Sequence, residues 1–222
     1  MFYFLGIDLA GSKNTWAVSL EKGEKGLALT PVLSLKNSSS PSVITDLFEI
    51  LSFCMKNKVL SVAIDAPLSF SLSNSTGFRL SDRKLKELLP KKAKNWVVSY
   101  HALMGVPIRA LLLAQEISPY CGAILETHPR ACFYLALPED KKYLAFEYKK
   151  RNLNEEEEKF LLKFFLEKFK LKISFPFSFK EGIIDAIFCA LVANFYFSSP
   201  ERLLFLPSEE GLKGFGPFVL LF

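Results

Sequence analysis

Three short apolar segments of this sequence each end in an acidic residue. They are residues 5–8 (LGID), 62–65 (VAID) and 123–126 (AILE). Short apolar runs of this kind, bounded by turn-forming residues, predict buried β-strands. Because neighbouring strands of a sheet lie about 4.8 Å apart, acids at the same end of adjacent strands come within reach of one another. The repeated pattern therefore predicts a sheet that gathers carboxylates at one end.

The order of the predicted elements narrows the fold further. Apolar periodicity and turn residues predict strands over residues 2–9, 16–20, 27–35, 59–66 and 122–126, and helices over 41–57, 155–171 and 182–196. Three antiparallel strands, a helix and a strand, followed by more helix and strand units, are typical of an α/β layer architecture. This order is that of the RNase-H-like fold, a mixed central sheet of three antiparallel strands and then parallel strands, flanked by helices. The same order opens each lobe of the actin/hexokinase-type ATPases, and periodicity does not separate the two.

Length and composition favour one domain. The chain has 222 residues, of which 50% are hydrophobic, and this is ample for a sizeable core. We predict a single RNase-H-like domain over residues 1–222, with a helical and loop insertion at 69–118 where polar residues prevail. The net charge of +5 is too small to identify a nucleic-acid partner by itself.

The sequence favours a cytoplasmic protein without a membrane partner. Its four cysteines lack CxxC or Cys/His metal spacing and lie in apolar segments, as is typical of packed thiols in a reducing compartment. The N-terminal residues have no basic leader and predict a first strand rather than a signal peptide. No uncharged apolar stretch reaches the ~18 residues that a membrane span needs.

Asp185 is a fourth acid in apolar surroundings. It lies within residues 182–188 (GIIDAIF), in a helix that is expected to pack on the sheet. A lone charge there is costly to bury, so it needs a partner, a cation or solvent. Gathered carboxylates repel one another unless a cation lies between them, and Mg²⁺ and Mn²⁺ prefer oxygen ligands. We therefore predict a catalytic metal site formed by Asp8, Asp65, Glu126 and Asp185.

Each acid also has an ordinary structural interpretation. A single Asp after a strand is most often a turn or cap residue. A salt bridge to Lys180 or to an arginine elsewhere explains Asp185 taken alone. Glu181 matches a helix capping box with Ser178. The metal-site hypothesis is preferred because one chemistry accounts for all four acids.

Six motifs spread along the chain carry a family resemblance. They are GIDLAGSKNTWAV, AIDAPLSF, GFRLSDRKL, SYHALMGVPIRALLLA, ILETHPRACF and KEGIIDAIFCALVA. Their order and spacing, from residue 4 to about residue 195, resemble a family of domains of unknown function that are predicted to be RNase-H-like nucleases. The resemblance implies an RNase-H-like fold whose clustered acids bind divalent metal for phosphodiester hydrolysis. Where some members carry an acid after the His-Pro pair, this chain has Arg130.

The resemblance also implies roles for individual residues. Two Mg²⁺ or Mn²⁺ ions are expected, with Asp8 bridging both, Asp65 and Asp185 holding one each, and Glu126 binding metal or orienting water. Substrate contacts are expected from a largely basic set, in which Arg79, Asp82 and Arg83 match a second cluster of the family and arginine suits bidentate phosphate binding. The full set is Lys13, Arg79, Asp82, Arg83, Arg109, His128 and Arg130.

The predicted function is that of a metal-dependent nuclease acting on DNA or RNA. An actin/hexokinase-like ATP-dependent phosphotransferase is an alternative, because residues 6–13 (GIDLAGSK) also resemble the first phosphate loop of that superfamily. The chain is short for two full lobes, which argues against this alternative. A non-catalytic nucleic-acid-binding module on the same fold is the third hypothesis, and the presence of all four acids argues against it.

Overall fold

A mixed β-sheet with helices on both faces forms the centre of this α/β protein. The computed structural model describes residues 1–10, 15–23, 26–31, 43–44, 47–71, 75–103, 105–173, 179–208 and 214–222. The strands are β1 (Phe2–Asp8), β2 (Thr15–Gly23), β3 (Gly26–Pro31), β4 (Val43–Ile44), β5 (Val59–Asp65), β6 (Cys121–Glu126), β7 (Leu171–Lys172), β8 (Leu203–Phe205) and β9 (Val219–Leu221). The helices are α1 (Leu47–Lys56), α2 (Leu80–Leu88), α3 (Gly105–Ile117), α4 (Pro129–Ala136), α5 (Leu144–Glu147), α6 (Glu155–Phe169) and α7 (Glu181–Ser198).

The strand order of the main sheet is β6-β5-β1-β2-β3-β7. β1, β2 and β3 are antiparallel neighbours, whereas β5 and β6 run parallel to β1, and β7 runs parallel to β3. β8 and β9 form a separate antiparallel pair. The parallel pairing of β1 and β5 sets Asp8 directly opposite Asp65, so both carboxylates emerge at the same end of the sheet. The predicted sequence of three antiparallel strands followed by parallel ones is confirmed.

Alternation along the strands divides the core between the two faces of the sheet. Phe4 and Ala63 pack on one face with α4, α6 and α7, while Leu5 and Ile64 pack on the other with α1 and α3. α7 is buried on nearly all sides, which explains why its sequence is apolar throughout rather than amphipathic. Among the described residues, no helix has the length and apolar character needed to cross a membrane.

Gly6 allows α7 to lie directly on β1. A Cβ atom at this position would overlap the carbonyl oxygen of Ala186 and the backbone nitrogen of Ala190. The helix and strand backbones therefore approach more closely than any other residue would permit. This approach brings Asp185, which precedes Ala186 on the helix, to the strand end that carries Asp8.

The helix predicted to begin at Pro41 begins instead at Leu47, and this prediction was wrong at its start. Val43 and Ile44 form β4, which pairs with Trp16 and Thr15 at the start of β2. β3 pairs with β2 only from Val18 onward, so the beginning of β2 presents open hydrogen-bonding groups that the β-branched pair Val43–Ile44 covers. Residues 41–42 lie outside the described residues.

The segment predicted to be an insertion, residues 69–118, contains α2, α3 and a 3₁₀ turn at Lys91–Trp96. α2 begins directly after Arg79, where the Asp82 carboxylate accepts a hydrogen bond from the Arg79 backbone N–H (2.8 Å). α3 packs on the same face as α1. The status of the segment as an insertion stays a prediction.

Candidate functional site

Three aspartates meet at the sheet end where β1 and β5 terminate. Asp8 and Asp65 are the last residues of these strands, and Asp185 reaches them from the first turns of α7. One carboxylate oxygen from each lies within 4.8 Å of the other two. Asp8 and Asp65 are half-buried, whereas Asp185 is fully buried. We call these three residues the aspartate triad; the sequence prediction included all of them.

Asp185 is held by two neighbouring residues that precede α6. The Tyr148 hydroxyl donates a hydrogen bond to Asp185 Oδ1 (2.6 Å). The Lys149 ammonium lies 2.6 Å from Asp185 Oδ2 and forms an ion pair with it. Both carboxylate oxygens of this fully buried residue therefore have a partner, one a hydroxyl and the other a cation.

The triad perturbs the protonation of its members and neighbours. Burial, reinforced by the negative charges of Asp185 and Glu126, raises the pKa of Asp65 to about 7, although Lys149 opposes the shift. Burial and the adjacent Asp185 raise the pKa of Tyr148, so its hydroxyl remains a hydrogen-bond donor. Burial disfavours the charged form of Lys149, but the carboxylates of Asp185, Asp65 and Asp8 outweigh it and raise the pKa of the ammonium. Lys149 is therefore the resident counter-charge of the triad.

The raised pKa of Asp65 predicts a pH-dependent stability for the metal-free protein. Between the unfolded value of 3.8 and the folded value of about 7, the folded state retains a proton that the unfolded state has lost. Stability contributed by Asp65 therefore falls as pH rises through this window and is constant above it. Asp65→Asn is expected to raise Tm, measured with a chelator present, by ~3 °C or more at pH 7.5 and by much less at pH 4.5.

The control for this measurement is Asp140→Asn, at an aspartate whose side chain is 73% exposed. It should change Tm little at either pH. If Asp65→Asn changed Tm by the same amount at pH 4.5 and at pH 7.5, the pKa of Asp65 would not be raised in the folded protein.

Glu126 is not brought into the triad. β6 pairs with β5 so that Glu126 stands opposite Ile64, one residue before Asp65. Because successive strand residues face opposite sides, this offset turns Glu126 away from the face that carries the triad. It is instead paired with Arg79, whose two Nη atoms lie 2.7 and 2.5 Å from its carboxylate oxygens, and it accepts a backbone hydrogen bond from Leu68 (2.8 Å). A metal-binding role for Glu126 stays a prediction.

Arg79 and Asp82, predicted to contact substrate, complete this buried ion network. Asp82 accepts from Arg79 Nε (3.0 Å) and Nη2 (2.8 Å), and Ser69 accepts from Nη1 through its hydroxyl (2.9 Å) and carbonyl (3.2 Å). Every N–H direction of the guanidinium is therefore engaged, and Arg79 is 3% exposed. Burial raises the pKa of Glu126, against the opposing charge of Arg79. These contacts organise the loop after β5.

The other predicted substrate residues are separated from one another. Arg109 on α3 donates to the Ala10 carbonyl (2.5 Å) and so anchors the chain after β1. His128 is the residue before α4, and its Nδ1 accepts a hydrogen bond from the backbone N–H of Ala131. The ring proton is therefore on Nε2, which faces the carbonyl oxygen of Trp96. Burial lowers the pKa of His128 and so favours this neutral form.

Arg130 stacks on the ring of Trp96 at 4.1 Å, and its Nε donates a hydrogen bond to the Ala145 carbonyl. Arg83 is exposed on α2. Lys13 lies outside the described residues.

A basic cleft beside the triad was not anticipated from the sequence. It has a volume of about 660 Å³ and is lined by Asp8 and Trp16 together with four cationic residues. The cations are Lys149, Lys150, Arg151 and Lys180. The run Lys149–Lys150–Arg151 was the signal available in the sequence, but its closeness to Asp8 depends on the tertiary fold.

Comparison with protein-family models, with curated proteins and with solved structures finds no match for this chain. The functional conclusion therefore depends on the geometry and electrostatics of the site.

Proposed function

We propose that this protein is a divalent-metal-dependent nuclease that hydrolyses phosphodiester bonds of nucleic acid. The observation that carries the proposal is the aspartate triad, with oxygens of Asp8, Asp65 and Asp185 within 4.8 Å of one another. Lys149 brings a single positive charge to these three carboxylates, so the group has room for the charge of a divalent cation.

The donor set of the triad fits Mg²⁺ or Mn²⁺. All three residues offer carboxylate oxygens, the ligands that hard divalent ions prefer, and two of the three are half-buried and so accessible to an ion and its water. When bound, such ions supply an activated water and stabilise charge on the phosphodiester. We propose that Asp8, Asp65 and Asp185 hold them, with two ions as the working hypothesis.

The basic cleft supports a phosphate-bearing substrate. Asp8 belongs both to the triad and to the cleft, so a phosphodiester bound by Lys180 in the cleft would lie beside the metal ligands. Lys150 and Arg151 are ion-paired with Glu147 and Glu157 and would have to exchange these partners to bind phosphate. Lys149 contacts Asp185 and also lines the cleft, with its side chain 31% exposed. We propose that its ammonium offsets part of the negative charge of the triad in the metal-free protein and binds phosphate when a metal takes over that role.

The proposed fold assignment is RNase-H-like. It is supported by the strand order β3-β2-β1-β5-β6, in which β2 alone runs against the others, and by the motif resemblance along the chain. In this architecture β1 and β5 are adjacent at the sheet centre, where Asp8 and Asp65 meet. The cytoplasmic location inferred from the sequence belongs with this proposal.

Cleavage assays with Asp8→Asn test the proposed function. Wild-type protein is expected to cleave at least one of a single-stranded, duplex, hybrid or branched nucleic acid when Mg²⁺ or Mn²⁺ is present, and to lose this activity with a chelator. Changing a residue that only orients a metal ligand costs about 10–100-fold, so loss of a ligand itself should reduce the rate by ~100-fold or more. Asp8→Asn keeps the side-chain size while removing the charge.

The matched control is Asp140→Asn, the same chemical change at an exposed position, which should leave the rate unchanged. Equal cleavage by wild type and Asp8→Asn would identify a contaminating nuclease and overturn the assignment. ATP turnover without cleavage of any of the four substrates would favour the phosphotransferase, and strand binding without cleavage would favour a non-catalytic module.

A further inference from the structure

A second, largely apolar cavity adjoins the aspartate triad. Its volume is about 330 Å³, near the lower end of the about 300–1,000 Å³ found for ligand sites. Asp65 and Lys149 form part of its wall, so the cavity borders the triad directly. Its apolar walls include Leu9, Pro67, Leu85, Trp96, Val106 and Phe218.

Three charged residues that line this cavity, Arg79, Asp82 and Glu126, are already paired with one another. Arg79 directs all its N–H groups to Glu126, Asp82 and Ser69. A phosphate placed against Arg79 would find every N–H group of its guanidinium already donated and would face the carboxylates of Glu126 and Asp82. This part of the cavity is therefore suited to a weakly polar group rather than to an anion.

The basic cleft also borders the triad and has the opposite character. The two spaces share Ala10 and Lys149, which form the boundary between them. Asp65 lines the apolar cavity, and Asp8 lines the basic cleft. A ligand that spans this boundary needs an apolar heterocycle at one end and phosphates at the other, which is the chemistry of a nucleotide within a strand.

Building on the proposed nuclease function, we propose that the apolar cavity binds one unstacked base of the substrate strand, next to the phosphodiester at the triad. The cavity is bounded by protein walls, so a base has to leave the stack of its neighbours to enter it. The substrate class is accordingly a single strand, or a duplex with an extrahelical or unpaired nucleotide. A fully paired duplex should bind more weakly than either.

Affinity measurements on strands with one missing base test this proposal without requiring catalysis. The wild-type protein is titrated, with Ca²⁺ in place of Mg²⁺ to suppress turnover, against a short labelled single strand and against the same strand carrying one abasic site at each position in turn. An abasic site at one position is expected to lower the affinity by about tenfold or more, since a bound base contributes strongly to such complexes. An abasic site at any other position should lower the affinity much less. A uniform response along the strand would overturn the proposal.

A cavity-filling variant supplies the second measurement. Val106→Trp, at the second residue of α3, narrows the cavity, whereas Leu112→Trp adds the same side chain at a 56% exposed position of the same helix. Val106→Trp should weaken binding of the intact strand by about tenfold and leave binding of the sensitive abasic strand unchanged, while Leu112→Trp should alter neither. Equal weakening of both strands by Val106→Trp would also contradict the proposal.

The outcomes separate this proposal from the proposed function. Metal-dependent cleavage without any base-specific effect would retain the nuclease and reject the base pocket. A position-specific abasic effect in a protein that never cleaves would retain the pocket and reject the nuclease.

Discussion

Asp185→Asn is expected to abolish metal-dependent cleavage while leaving the protein folded. The residue is fully buried in α7 and contributes one of the three carboxylates of the triad. Asn keeps the side-chain shape, and its carbonyl can still accept the hydrogen bond from the Tyr148 hydroxyl. The change removes one of three like charges, so we expect cleavage to fall by ~100-fold or more and Mn²⁺ affinity, measured by calorimetry, to fall by at least ~10-fold.

Stability is the readout that separates this expectation from simple unfolding. Relief of the repulsion among the carboxylates opposes the loss of the Lys149–Asp185 ion pair, and Lys149 keeps Asp65 and Asp8 as counter-charges, so Tm of metal-free Asp185→Asn should stay within a few degrees of the wild-type Tm. Mn²⁺ that binds the folded state stabilises it, so added Mn²⁺ should raise the Tm of the wild type. The increase should be much smaller for Asp185→Asn, which binds the ion more weakly. Wild-type Mn²⁺ affinity in the variant would contradict the metal assignment.

Tyr148→Phe is the matched variant for the hydrogen bond alone. It removes the hydroxyl that contacts Asp185 Oδ1 but leaves all three carboxylates in place. A loss of about 10–100-fold in activity is expected, as for other residues that orient a metal ligand, with Mn²⁺ binding still measurable. Identical losses for Tyr148→Phe and Asp185→Asn would mean that the position of the carboxylate matters and its charge does not.

Local sequence patterns were sufficient to predict how the triad is assembled. The runs that end at Asp8 and Asp65 become adjacent parallel strands in register, so two acids at equivalent points of the pattern meet in space. Asp185 was predictable because a charge in an otherwise apolar helix requires a partner, and burial of the whole helix brings that charge to the sheet. These inferences depend on periodicity and on burial, which the sequence carries directly.

The position of Glu126 could not be predicted from the same patterns. Its segment has the same pattern as the other two strands, but its pairing with β5 is offset by one residue from the position that would place it beside Asp65. Register between strands depends on the connecting segments and on packing across the sheet, and an offset of one residue exchanges the two faces. No local pattern distinguishes the two registers, so the partnership of Glu126 with Arg79 emerged only from the three-dimensional structure.

The counter-charge of the triad was likewise not predictable from local patterns. Lys149 lies in a turn segment between α5 and α6, 36 residues before Asp185, and nothing in the residues around it indicates that contact. A cationic run is usually a solvated surface, so Lys149–Lys150–Arg151 gave little reason to expect a cleft. Long-range contacts between charged side chains depend on how the loops close over the sheet.

Arg79→Met is expected to cause the largest loss of stability among single charge changes in this protein. The substitution leaves Glu126, which is 3% exposed, and Asp82, which is 4% exposed, without the guanidinium that now contacts both. Breaking a buried pair by removing one partner typically costs about 3–5 kcal/mol, because the remaining charge is neither solvated nor paired. Urea unfolding at pH 7.5 should show a loss of this size, whereas Arg83→Met, at an exposed arginine on the same helix, should cost about 1 kcal/mol or less, since contacts of exposed charges contribute little.

Acid pH and a second substitution provide the decisive comparisons for Arg79→Met. Without Arg79, the burial that already raises the pKa of Glu126 is no longer opposed, so the carboxyl should take up a proton more readily in the folded state and recover stability as pH falls. Arg79→Met combined with Glu126→Gln removes one of the two stranded carboxylates and should be more stable than Arg79→Met alone at pH 7.5. A loss below ~1 kcal/mol for Arg79→Met, independent of pH, would mean that water or another cation replaces the guanidinium, and that the ion network does not hold the loop after β5 in place.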